Sequence, residues 1–105
     1  MGRIVIVVYR PKPGKEDDLL SLVQDHVNVL RNEGLVTNRD PVIMRAEDGV
    51  IVEVFEWKSV EAINAAHTNA EVGSLWAKFS EVCDYETPIN IKEFHNLFSE
   101  FESID

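Results

Sequence analysis

Cysteine is nearly absent from this chain. Cys83 stands alone, so no intrachain disulfide can form. It falls in an apolar, helix-like stretch and reads as a small buried hydrophobe rather than a nucleophile. Positive charge is also scarce: 10 lysines and arginines face 19 aspartates and glutamates, a net charge of −9. Such a surface repels phosphate backbones and anionic lipid heads. The largest basic grouping, Arg10 to Lys15, is broken by Pro11, Pro13 and Gly14. Nucleic-acid and membrane-surface partners are therefore not expected. No long hydrophobic run occurs either. The apolar stretch Ile4 to Tyr9 stops at Arg10 and Pro11, too short for a membrane span and without a cleavage pattern, so a cytoplasmic location is expected. The glycines are scattered and form no phosphate loop, and His67 has no Cys or second His near it in sequence. No metal and no cofactor is expected.

What the chain does contain suits one folded unit. Its 105 residues are 45% hydrophobic, enough for one domain and one core. Arg3 to Arg10 is almost uniformly apolar and β-branched, the pattern of a strand buried on both faces. Glu16, Asp17 and Asp18 place acids where a first helical turn favours them. Leu19, Leu20, Leu22, Val23, Val27 and Leu30 then follow at helical spacing, with Gly34 as a stop. Val42 to Glu47 and Val50 to Trp57 form two β-type runs around Asp48-Gly49, a hairpin signal. A three-residue loop with Gly49 left-handed would put Val42, Met44, Ala46, Val50, Val52 and Val54 on one apolar face. Ile43, Arg45, Ile51, Glu53, Phe55 and Trp57 would then share the other. This register segregates the polar groups better than a two-residue turn does.

Ser59 caps a short helix, Val60 to His67, and Asn69 caps a longer one through about Asp84. In the latter, Val72, Leu75, Trp76, Phe79 and Val82 make an apolar stripe. Thr87 to Phe94 reads as a last strand, and residues 95–105 as either an amphipathic helix against a partner or a frayed end. The succession βαββαβ predicts an α+β, ferredoxin-like fold: a four-stranded antiparallel sheet with helices on one face. The uncovered face is expected to carry Phe55, Trp57, Ile51 and Ile43. An aromatic face of that size calls for a second copy, hence a homodimer through the sheet.

Glu53 is the most informative residue, since it interrupts an apolar strand where a charge must be paired or neutralised. Arg45 across the hairpin is the expected partner, and a structural ion pair and a pocket carboxylate both remain open. His67 is in register with Val60 and Ile63 and is read as pointing inward, either as a base near Glu53 or as a helix-end cap. His26 is read as a boundary residue and His95 as solvent-facing. Phe55, Trp57, Trp76 and Phe79 are read either as core or as the walls of a pocket for a flat aromatic ligand.

The run from Glu53 through Trp57 and Ser59 to His67 resembles the antibiotic-biosynthesis-monooxygenase-like proteins of the dimeric α/β-barrel superfamily. A strand ending in tryptophan, a Ser-capped helix and a histidine carry the likeness, and it extends more loosely over Ile4 to Tyr85. The resemblance implies a dimeric α/β barrel. It also implies oxygenation of a small phenolic or quinol-like compound without metal or flavin. Relatives that do this use Asn-x-x-x-Trp on that strand, whereas here Glu53 precedes Trp57. On this reading catalysis falls to Glu53, His67 and Trp57, and the pocket reading of the side chains gives ligand contact to Phe55, Trp76, Phe79 and Arg45. Heme-degrading relatives need an asparagine and a histidine where this chain has Val7 and, approximately, Trp76, which speaks against heme degradation. The alternative function is a non-catalytic dimeric module that binds an apolar ligand or serves in a stress response.

Overall fold

A computed structural model describes residues 1–104. The chain forms β1 (Arg3–Pro11), α1 (Glu16–Asn32), β2 (Val42–Arg45), β3 (Ile51–Trp57), α2 (Val60–Ala66), α3 (Ala70–Val82), β4 (Cys83–Glu86) and β5 (Glu102–Ser103). Two 3₁₀ turns, Pro88–Asn90 and Lys92–His95, lie between the last two strands. The strands make one antiparallel sheet in the order β4-β1-β3-β2-β5. The fold is thus α+β. The sheet has five strands rather than four, because the C-terminal segment returns to pair Glu102 and Ser103 with Arg45 and Met44.

Local chemistry sets the elements. The Ser59 hydroxyl accepts from the Ala62 N–H and the Asn69 side chain from the Val72 N–H, so both expected caps form. The hairpin adopts the three-residue loop: Val42 faces Val54, Met44 faces Val52, and Ala46 bonds Val50 across Glu47, Asp48 and Gly49. Gly49 has φ +98°, a conformation that other residues adopt only with strain.

The last part of the chain departs from its sequence pattern. α3 ends at Val82, and the extended backbone of Cys83 starts β4 beside β1. The expected strand Thr87–Phe94 is instead the pair of 3₁₀ turns, initiated by Pro88. Among the described residues neither the expected helix nor a frayed end follows; Asp105 lies outside them. The segment packs Ile91, Phe94 and Phe101 onto Val8, Ala46, Val50 and Val52.

Strand alternation divides the core. On one sheet face Tyr9, Ile51, Phe55 and Trp57 pack under α1 and α3, against Leu19, Val23, Val27, Leu30, Val72 and Phe79. Full burial of a side chain such as Leu19 or Leu30 contributes about 1.5–3 kcal/mol. Phe55, Trp57, Ile51 and Ile43 therefore lie on the helix-covered face, which corrects their expected place on the bare one. The outer face carries two registered rows. Val8, Val52 and Met44 are covered by the C-terminal segment. Ile6, Val54 and Val42 form the second row, and there Ile6 and Val42 are 51% and 54% exposed. Ile4, next along β1, is 58% exposed, so β1 is buried on both faces only at its C-terminal end. No helix among the described residues is long and apolar enough to cross a membrane.

Candidate functional site

The site begins at the middle of β3. Glu53 is fully buried on the helix-covered face, between Val7 of β1 and Ile43 of β2. A carboxylate there is tolerated only if donors meet it. Two do. The Tyr9 hydroxyl donates to Oε1 at 2.6 Å, and His26 Nδ1 lies 2.9 Å from the same oxygen. Oε2 is buried and meets no donor of the described residues.

His26 comes from α1. It sits between Val23 and Leu30 at spacings of three and four, squarely in the buried stripe, and is 4% exposed. Phe55 and Phe79 hold its ring edge-on, each with centroids 5.2 Å away. Its other nitrogen, Nε2, lies 3.5 Å from the indole Nε1 of Trp76. An indole N–H can only donate, so this contact makes Nε2 an acceptor and places the imidazole proton on Nδ1, donated to Glu53. The chain of bonds runs from Trp76 through His26 to Glu53, with Tyr9 closing on the carboxylate.

A cleft of about 390 Å³ opens beside this chain, lined by Val5, Val7, Tyr9, His26, Phe55, Trp57, Trp76, Ser80 and Tyr85. The volume is at the lower end of the roughly 300–1,000 Å³ usual for small-molecule sites. No lysine or arginine lines it, and its walls are mostly aromatic and aliphatic. Burial, reinforced by Glu53, raises the Tyr9 phenol well above its ordinary range, so Tyr9 stays a neutral donor. Burial likewise pushes Tyr85, at the cleft, up to about 12.

The residues expected from sequence are only partly brought together. Phe55, Trp57 and Trp76 line the cleft, as read. Phe79 does not line it; it is fully buried and stacks on Tyr9 at 5.1 Å. Arg45 is not the partner of Glu53. It lies on the hairpin near the C-terminal segment, 3.3 Å from Glu102. Arg45 pairs with Ile51, two residues beyond Ile43, the residue opposite Glu53. His67 does not point inward: it is exposed at the end of α2, bonded through Nδ1 to the Ile63 carbonyl at 2.9 Å, and its ring packs at a steep angle against Trp76 with centroids 5.5 Å apart. Of its two readings, the helix-end cap fits. His26 and Tyr9 were missed as functional residues. Their signals were present, since His26 continues the apolar stripe of α1 and Tyr9 shares a strand face with Val5 and Val7.

Among the described residues no three His, Cys, Asp or Glu side chains cluster as a metal site. Comparison of the chain with family models and with curated proteins returned no match.

Proposed function

We propose that the chain is an antibiotic-biosynthesis-monooxygenase-like protein with the ferredoxin-like βαββαβ topology. On this reading it works as a homodimer and oxygenates a small phenolic or quinol-like compound without metal or flavin. The observation that carries the reaction is the buried bond of His26 Nδ1 to Glu53 at the wall of an aromatic cleft. A histidine oriented by a carboxylate keeps its second nitrogen as a base, the arrangement that general-base catalysis uses. His26 thus takes the role that sequence reading gave to His67, and Glu53 orients it.

A hydroxyarene bound between Phe55, Trp57 and Trp76 loses its O–H proton to His26 Nε2. The anion spreads its charge to a ring carbon and passes an electron to dioxygen, and the two radicals join as a peroxide on that carbon. Loss of the ring hydrogen with cleavage of the O–O bond leaves one oxygen in the ring as C=O. The second departs as water, taking the proton held by His26. The ring loses two hydrogens and gains one oxygen, which accounts for both atoms of dioxygen. Apolar walls favour the electron transfer because they leave the anion poorly solvated.

Strand order β4-β1-β3-β2, with helices over one face, supports the topology. The exposed row Ile6, Val54, Val42, flanked by Ile4, supports sheet-to-sheet pairing of two copies. Oxygen uptake with 1-naphthol and a panel of hydroquinones tests the reaction, comparing the wild type with His26→Asn and Glu53→Gln. Uptake is expected in the wild type and its loss in both variants. A wild type no faster than the uncatalysed background would overturn the reading.

A further inference from the structure

Resting on the site proposed above, we infer that Trp76 is a specificity gate: its indole N–H occupies the position of the hydroxyl donor of the ligand, so only ligands that bring a donor displace it. Three observations on Trp76 carry this. Trp76 Nε1 stands 3.5 Å from His26 Nε2, a long bond that a closer donor would replace. Trp76 is only half-buried and borders the open cleft, whereas His26 is buried, held edge-on by Phe55 and Phe79 and bonded to Glu53. The Trp76 ring packs at a steep angle against the ring of His67, which is itself fixed to the Ile63 carbonyl. This gives the exposed histidine a positioning role without placing it in the chemistry.

The consequence is selection by hydrogen-bonding capacity. A phenol or naphthol exchanges one donor on Nε2 for another and binds with that acceptor satisfied. An aryl ether or a quinone of the same shape displaces the indole and leaves Nε2 unpaired, or binds only where the indole permits. The expected product of the proposed reaction is a quinone, which has no donor at the reacting oxygen. Return of Trp76 to His26 then favours its release.

The test uses 1-naphthol and 1-methoxynaphthalene as probes with the whole chain under anaerobic conditions. Nitrogen-15 spectra follow the two indole signals, assigned with Trp57→Phe and Trp76→Phe, and the His26 ring nitrogens. 1-Naphthol is expected to shift the Trp76 indole signal more than that of Trp57, with the His26 proton kept on Nδ1. The methyl ether should bind about fivefold to tenfold more weakly, the worth of one net hydrogen bond. Without ligand, Trp76→Phe should already shift the His26 Nε2 resonance, and it should tighten binding of both probes.

Equal affinity for the two probes overturns the inference, as does naphthol binding with an unmoved Trp76 signal. Failure to bind either probe overturns it too. Naphthol that displaces Trp76 but is not oxidised in air would leave the gate standing and overturn the oxygenase reading. Oxidation with an unmoved Trp76 would do the reverse.

Discussion

The Tyr9 hydroxyl reaches diagonally across two adjacent strands to Glu53 Oε1, 2.6 Å away, and shares that oxygen with His26 Nδ1. Tyr9 faces Ile51 directly, so the bond spans two positions of the register and ties β1 to the centre of β3. Removing the hydroxyl leaves the buried carboxylate with one donor. Tyr9→Phe is therefore expected to cost about 1.5–3 kcal/mol, the range for a bond to a charged group. Each kcal/mol lowers the melting temperature by about 4–8 °C in a domain of this size. A thermal melt within a degree of wild type would contradict the assignment.

Replacing Glu53 by glutamine keeps the shape and changes the proton bookkeeping. The amide oxygen, in the place of Oε1, still accepts from both Tyr9 and His26, but the N–H₂ takes the place of the buried, unpartnered Oε2, and the amide has no charge to stabilise the imidazolium that forms when Nε2 takes a proton. Glu53→Gln is expected to keep its far-ultraviolet circular dichroism. Its oxygen uptake on 1-naphthol should fall by about 10²–10⁴-fold, the usual weight of general-base catalysis. His67→Ala removes an exposed side chain outside the bond network of Glu53 and should leave the uptake rate at saturating naphthol within about twofold. Equal losses in the two variants would restore His67 as the base.

Alkaline pH should unfold the protein in a defined window. Burial, then the neighbouring Asp84, pushes the Cys83 thiol from 9.0 up to about 11. Burial, then Glu53, raises Tyr9 beyond its ordinary 10.0. Both groups ionise in the unfolded chain at lower pH than in the folded one, so the unfolded state binds fewer protons and stability falls as pH rises. Their contribution is whole below about pH 9 and is lost through pH 9–11 for the thiol, and above pH 10 for the phenol. Urea midpoints taken from pH 7 to 11 should decline in that order, and Cys83→Ala should flatten the first part. A midpoint rising with pH above 9 would contradict it.

The outer sheet face makes a prediction about mass. Ile6 lies in the exposed row with Val54 and Val42. Ile6→Lys places a charge on the proposed pairing surface without entering the folded core. Light scattering at micromolar concentration should give a dimer mass for wild type and a monomer mass for the variant, with unchanged circular dichroism. A wild-type monomer would remove the homodimer.

Local patterns were legible where one periodicity decided them. The stripe of α1, the caps Ser59 and Asn69, and the left-handed Gly49 loop all follow from spacing and side-chain chemistry within a few residues. Which face of β3 the helices cover was not legible. Val50, Val52 and Val54 make one face as apolar as Ile51, Phe55 and Trp57 make the other, and alternation assigns two faces without ranking them. That choice displaced the partner of Glu53: with its face turned toward α1, the donor comes from His26, 27 residues away, instead of from Arg45 on the neighbouring strand. The C-terminal segment failed for a different reason. Ile89 and Ile91 alternate like a strand, but Pro88 starts a 3₁₀ turn, and only Ile91 is buried.

Glu53 is held at the middle of the central strand, by one group from β1 and another from α1. Three elements would have to part before the base lost its orientation, so the bonds of Glu53 to Tyr9 and His26 have no hinge of their own. Amide exchange at Val52 to Val54 and heat inactivation should then follow the same opening of the whole domain. A warmed sample would divide into fully competent molecules and unfolded ones, with no dulled intermediate between them.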